Sequence, residues 1–238
     1  MERLASLIPS SAKAILAKSF SSLVPIQKSE LPYEVLQAIE QFVRPGHVVA
    51  DIGANRGLCA LRFAKQVGKQ GKVHCFEPGP PFFELLKKNI SQATDLREVF
   101  QLYRMGLSDK PCSLKWKQME KTPQKANLTE PTGVEVQVTT LDQVVKGNWD
   151  RLDFIKVEVE GMELEVFKGG KETLTRYRPV LLFESLMDFE KYRKAPVRKE
   201  LVAYLHSLKY HLFRLDAKGR RSPVDYPYLA EITLALPN

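Results

Sequence analysis

Three short stretches of this chain hold residue types that do chemistry. The first is Asp51-Ile52-Gly53-Ala54-Asn55-Arg56-Gly57. Gly53 lets the backbone turn tightly and approach a ligand with no Cβ in the way. Gly57 allows a helix to pack closely on a strand, and the N–H groups that open a helix can meet an anionic group. A dinucleotide site reads G-x-G-x-x-G, whereas here Asn55 stands in the middle-glycine position and an acidic residue precedes Gly53 by two. That arrangement suits a nucleoside cofactor that carries an amino acid rather than a pyrophosphate. Asp51 would organise the loop and help to hold an ammonium. The second is Glu77, twenty positions beyond Gly57, where a carboxylate can accept hydrogen bonds from both ribose hydroxyls. The third is Lys156-Val157-Glu158-Val159-Glu160. Alternate residues of a strand share a face, so the three charges point to one side. Charges in a buried strand are costly unless they pair. Two readings of Lys156 stand level: a structural pair with a glutamate, or a group that tunes Glu158. Glu158, at the carboxyl edge of its strand, can take a proton from a hydroxyl. Glu160 precedes Gly161 and a helix and reads as a cap. Glu184 ends the next strand and flanks the same place from behind.

These residues need a frame, and the hydropathy pattern supplies one. Residues 47–52, 72–76, 152–159 and 179–184 are short, nearly continuous apolar runs, the pattern of strands buried on both faces. Residues 98–104 read as a further strand. Between them, 33–43, 58–67, 80–93, 163–174 and 199–208 place apolar residues at helical spacing. Pro80 suits the first turn of its helix, where a missing N–H matters little. Strand and helix in alternation predict an α/β fold: a doubly wound, mostly parallel sheet with helices on both faces. Residues 112–118 and 134–139 alternate in strand fashion and predict an antiparallel excursion around a polar 119–133 loop. Residues 210–214 and 231–236 predict a terminal antiparallel strand pair. Residues 1–44 form an N-terminal helical segment, a candidate lid or surface helix, and 45–238 form the main domain.

With 238 residues, 44% of them hydrophobic and 27% charged, the chain is an ordinary soluble globular protein with no apolar run long enough to span a membrane. Cys59, Cys75 and Cys112 are too few and scattered for a disulfide framework or a zinc site, and no histidine has a partner at metal or catalytic spacing. No metal is expected. His74, inside a strand, reads as a core residue. With no secretory signal, the expected compartment is the cytoplasm. The net charge of +8 is spread along the chain and reads as a solvated basic surface.

The chain resembles the FkbM family of S-adenosylmethionine-dependent methyltransferases. The resemblance covers about residues 45–185 and rests on VVADIGANRG (48–57), CFEPGP (75–80), GLSD (106–109), TTLDQV (139–144), DFIKVEVEGMELEVFKGG (153–170) and RPVLLFES (178–185). The 153–170 segment is its most specific part. The resemblance implies a Rossmann-like class I methyltransferase fold, S-adenosyl-L-methionine as cofactor, and methylation of a hydroxyl on a sugar or other natural-product small molecule. Carried onto this sequence it implies cofactor contacts at Asp51, Gly53, Asn55, Gly57 and Glu77 and near Met105–Ser108, so that Ala54, Pro78 and Ser108 join the expected cofactor site; the strand reading makes Glu158, tuned by Lys156, the expected catalytic pair. The family's strand commonly reads Lys-x-Asp-x-Glu-Gly. Here Glu158 stands in place of the aspartate and reaches one methylene further. Other classes remain to be set against this reading. The basic balance leaves room for an RNA or protein acceptor, although no interleaved aromatic–basic stretch offers a base-stacking surface. The amphipathic 1–25 segment leaves room for a non-catalytic or membrane-surface module. The sequence carries no signal for oligomeric state.

Overall fold

The computed structural model describes residues 31–118, 126–127, 133–185 and 197–238. The short helices expected in 1–25 and most of the 119–133 loop lie outside the described residues. In chain order the elements begin with α1 (Tyr33–Phe42), β1 (Val48–Ile52), α2 (Leu58–Val67), β2 (Lys72–Phe76) and α3 (Pro80–Ser91). A 3-10 turn over Thr94–Val99 leads into β3 (Phe100–Tyr103), β4 (Gly106–Leu107), β5 (Cys112–Gln118), β6 (Ala126–Asn127) and β7 (Val134–Thr139). Then come α4 (Leu141–Val145), β8 (Phe154–Val157), α5 (Glu163–Lys168), α6 (Lys171–Tyr177) and β9 (Val180–Glu184). The described chain ends with α7 (Val197–Ser207), β10 (Tyr210–Leu215), β11 (Arg221–Pro223) and β12 (Ile232–Pro237).

The main sheet has eight strands in the order β11-β10-β12-β9-β8-β1-β2-β3. Its block from β9 to β3 is parallel throughout, while β12, β10 and β11 are antiparallel to their neighbours. The expected terminal strand pair is therefore β10 with β12, joined to the parallel block through β9. The chain leaves β1 toward β2 and β3, then returns to β8 and β9 on the other side. The sheet's switch point thus lies between β1 and β8, where their carboxyl ends open a crevice. The excursion β4-β7-β5-β6 forms a separate four-stranded sheet.

Helices cover both faces, as the alternating pattern predicts. On one face α1, α2 and α3 bury Ile39, Phe63 and Leu86 against Val49, Val73 and Phe154. On the other, α4 to α7 bury Leu141, Phe167, Leu174 and Leu205 against Ile52, Ile155 and Phe183. The rings of Phe63 and Phe154 meet at 5.5 Å, as do those of Phe167 and Phe183. Each such fully buried side chain contributes roughly 2–3 kcal/mol of hydrophobic stabilisation. Helix α1 belongs to this body: its Val35, Ala38 and Ile39 are in the core, and Gln41 donates to the Gly219 carbonyl of the β10–β11 hairpin at 2.7 Å. No helix among the described residues is long and apolar enough to cross a membrane.

The elements differ from the sequence reading where backbone contacts intervene. The single helix expected over 163–174 is broken into α5 and α6 at Gly169-Gly170. A Cβ at Gly169 would overlap the Ser108 carbonyl, so the chain bends where a second segment presses on it. The strand expected over 152–159 is regular only over Phe154–Val157, which puts Glu158 just past its end. Residues 98–99 wind into the 3-10 turn, and the helix expected to reach 93 stops at Ser91. Helix α4 and strands β4 and β11 were not foreseen.

Candidate active site at the carboxyl edge of the sheet

The β1–β8 register sets Asp51 beside Lys156, so both side chains leave the same face of the sheet. The Lys156 ammonium lies 3.3 Å from Asp51 Oδ1 and 3.1 Å from Glu158 Oε2, and donates to the Gly53 carbonyl at 3.0 Å. One buried cation thus fastens the end of β1, the glycine loop and the end of β8. Asp51 is fully enclosed and Lys156 is 5% exposed, so neither charge could be held there alone. Burial works against the Lys156 ammonium, but Glu158 and Asp51 hold its pKa well above the usual lysine range. Burial pushes the Asp51 carboxyl up, and the Lys156 ammonium opposes this. Glu158 differs from both: 46% of its side chain is exposed. Its amide donates to the Ile52 carbonyl at 3.0 Å, which ties its backbone to β1.

The loop after β1 owes its glycines to crowding within the protein. Gly53 has φ +77, and a Cβ there would run into the Glu158 carbonyl. Close approach of two chain segments, as well as the turn, demands glycine. Gly57 has φ +89 and starts α2, as expected, but its Cβ would meet Leu86 Cδ1 at 2.7 Å. The partner that presses on it is α3, not a strand, because β1 has already ended at Ile52. Asn55 lies between them with φ +50, a conformation asparagine tolerates better than most residues. Its Oδ1 accepts from the Arg56 amide at 2.8 Å. Ala54 is buried and its amide donates to the Phe76 carbonyl at 2.9 Å.

Glu77 closes the loop from the β2 side. Its Oε2 accepts from the Asn55 amide at 2.9 Å and its Oε1 from the Gly79 amide at 2.8 Å. It is 5% exposed, and burial pushes its pKa up to about 7 although the two amides oppose the shift. A carboxylate has about four lone-pair sites, so acceptor capacity for hydroxyls remains. Pro78 is half-buried and lies under Gly106, where an added Cβ would sit 3.8 Å from its ring. Ser108 is buried; its amide donates to the Thr139 carbonyl at 2.9 Å and its hydroxyl to Asp109 Oδ1 at 3.3 Å. The structure therefore gathers Asp51, Gly53, Lys156 and Glu158 into one cluster and Asn55 with Glu77 into a second. Ser108 is tied to neither.

Several functional neighbours were assigned differently or missed. The helix cap expected of Glu160 is not made: Met162 stands at the N-cap with no side-chain cap bond, and Glu163 Oε1 accepts from the Val159 and Gly161 amides of the preceding turn at 3.1 and 3.2 Å. Glu160 instead takes a left-handed turn with φ +56. Glu184 is buried at the end of β9, as a flanking residue should be. Beside it Arg198, unremarked in the sequence, donates to Ser185 Oγ at 3.2 Å and to the Leu229 carbonyl at 3.1 Å. His74 is buried, with Nδ1 3.0 Å from the Tyr103 hydroxyl and its ring stacked on Trp149 at 3.7 Å. Burial lowers its pKa to about 4, so it stays neutral. These rings line a cavity of about 470 Å³ on the face of the sheet opposite Asp51.

The chain matches the family described as methyltransferase FkbM domain over residues 51–212, from the end of β1 to β10. It belongs to the FkbM methyltransferase family. Similar proteins include the 2-O-methyltransferase NoeI of Sinorhizobium fredii, 27% identical over 184 residues that span 68% of this chain and 72% of that protein. The hexuronic acid methyltransferase AglP of Haloferax volcanii is 30% identical over 146 residues, 59% of this chain and 57% of its own length. The crystal structure of methyltransferase FkbM from Methylobacillus flagellatus shares the fold, with a TM-score of 0.54 at 16% identity over 95% of this chain and 60% of that one. The Rossmann-like class I architecture expected of an FkbM enzyme is thus the one observed.

Proposed function

We propose that this FkbM-family chain transfers the methyl group of S-adenosyl-L-methionine to a hydroxyl oxygen of a sugar or related small molecule. The observation that carries the reading is the Lys156 bridge. It places one enclosed carboxylate, Asp51, and one half-exposed carboxylate, Glu158, on a single cation at the switch point of the sheet. The residues present fit the cofactor. Glu77 closes the glycine loop with acceptor capacity to spare. Gly53, Ala54, Asn55 and Gly57 would hold the amino-acid end, with Asp51 organising the loop from beneath through Lys156, Glu77 and Pro78 the ribose, and Ser108 the base side. When bound, S-adenosyl-L-methionine supplies an electrophilic methyl on a sulfonium.

The chain's own groups do the rest. Glu158 accepts the hydroxyl proton of the acceptor through its exposed carboxylate. Lys156 fixes that carboxylate at 3.1 Å. Asp51 holds Lys156 in place. The activities for which the relatives are named, 2-O-methylation and hexuronic acid methylation, support a sugar hydroxyl as acceptor. Free Cys59, Cys75 and Cys112 support a reducing compartment, the cytoplasm.

The test is Glu158→Gln, assayed with radiolabelled S-adenosyl-L-methionine against a panel of methyl glycosides and hexuronic acids. A drop in kcat of about 10²-fold or more, with cofactor affinity within about threefold, is expected for loss of a general base. Full activity in that variant overturns the assignment.

A further inference from the structure

The turn that follows Glu158 is built in an unusual way. Glu160 and Gly161 take φ +56 and +91 in succession, a left-handed course that a glutamate adopts only when its surroundings impose it. One restraint is Glu163. It is the first residue of α5 and is 5% exposed. Its Oε1 accepts from the Val159 amide at 3.1 Å and from the Gly161 amide at 3.2 Å, bracketing Glu160. On the other side of Glu158 the backbone is fixed by its amide on the Ile52 carbonyl and by its own carbonyl against Gly53. Glu158 therefore sits between two anchors, and the second includes a carboxylate oxygen that bridges two amides.

We propose that Glu163 is a positioning residue: by holding the 159–161 turn it directs the Glu158 carboxylate toward the place where the acceptor oxygen meets the transferred methyl. The inference rests on the reading of Glu158 given above. It is consistent with the burial of Glu163, which pushes its pKa up to about 7 against the pull of the Val159 and Gly161 amides. A carboxylate kept in so unfavourable a place is there for the backbone groups it binds.

Sinefungin carries an amine where S-adenosyl-L-methionine carries its methyl, and S-adenosylhomocysteine carries nothing there. The ratio of their dissociation constants, measured by titration calorimetry, reads whether a carboxylate faces the methyl position without any acceptor present. The wild-type protein should prefer sinefungin by about tenfold, and Glu158→Gln should abolish the preference. Glu163→Ala and Glu163→Asp, whose carboxylate falls one methylene short, should also bring the ratio to about unity while S-adenosylhomocysteine binds within about threefold of wild type. Glu163→Gln, whose amide oxygen can accept from the same two N–H groups, should restore the preference. A merely structural role would move both affinities and the melting temperature together and leave the ratio alone. If Glu163→Ala does not fold, Glu163→Asp decides. A wild-type ratio in the folded Ala or Asp variant overturns the positioning role while Glu158 stands. A wild-type protein without the preference, or a Glu158→Gln variant that keeps it, overturns the reading of Glu158 and this inference with it.

Discussion

Two neighbouring carboxylates at the carboxyl edge of the sheet are buried by different means. Asp51, on the β1–β8 seam, faces an ammonium. Glu77, on the β2 flank, faces two backbone amides. The seam depends on one side chain, which a single substitution can remove. The flank depends on the course of the backbone, which no side-chain change deletes. The seam is also closed, since Asp51 has no exposed surface and Gly53 abuts the Glu158 carbonyl. The flank keeps acceptor capacity for a ligand. One region is a fastening and the other a receptor, although the same residue chemistry serves both.

The contrast can be broken most severely at Lys156. Lys156→Met leaves Asp51 buried without its cation, and stability should fall by about 3–5 kcal/mol, read by urea denaturation at neutral pH. A loss below about 1 kcal/mol would show that the seam is held by something else. The glycines sharpen the comparison next. Gly53→Ala combines a left-handed φ with a collision against backbone and should cost about 3 kcal/mol or more. Gly57→Ala meets only the movable end of Leu86 and should cost about 1–2 kcal/mol. Thermal melts in the reverse order would contradict this account of the loop.

The smallest effect belongs to the flank. With its pKa near 7, Glu77 is protonated in the free protein below that pH, and a ribose diol calls for the carboxylate. Binding must then expel a proton, so cofactor affinity should fall by up to about tenfold per pH unit below pH 7. Calorimetry between pH 5.5 and 8 should show this slope in wild type and a flatter one in Glu77→Gln. For folding the sign is opposite. The folded pKa lies above the ordinary 4.5, so the native state binds the extra proton between the two values. Glu77 therefore weakens the fold progressively as pH rises from about 4.5 to 7.

Much of this was written in local sequence. Helix 58–67 and strand 72–76 were legible to the residue, because apolar spacing and flanking glycines mark both ends. The loop and Glu77 were legible as a pair because a strand–turn–helix unit fixes their separation. Helix α4 was missed although its signal is local: Thr140 accepts from the Gln143 amide at 3.1 Å, a Thr-x-x-Gln capping pattern visible in the chain. The break at Gly169 was not readable, since its cause is the carbonyl of Ser108, sixty-one residues away. Glu160 also makes no cap, for a reason no pattern shows: it has turned left-handed, and the N-cap position falls to Met162. The bracing of Ser185 by Arg198 likewise depends on α7 and β9 meeting in space.

The Lys156 bridge has a consequence in charge alone. Asp51, Lys156 and Glu158 together sum to one negative unit, enclosed on one side by the sheet. On the proposed assignment a bound sulfonium would bring these three groups and the cofactor's sulfur to a net charge of zero. After transfer that positive charge would be gone, and the proton taken up by Glu158 would restore the same total. The sum over these groups would be the same at the start of the transfer and at its end. The step therefore moves charge across the crevice without creating or destroying any, and the surrounding low-dielectric core has no net change to resist.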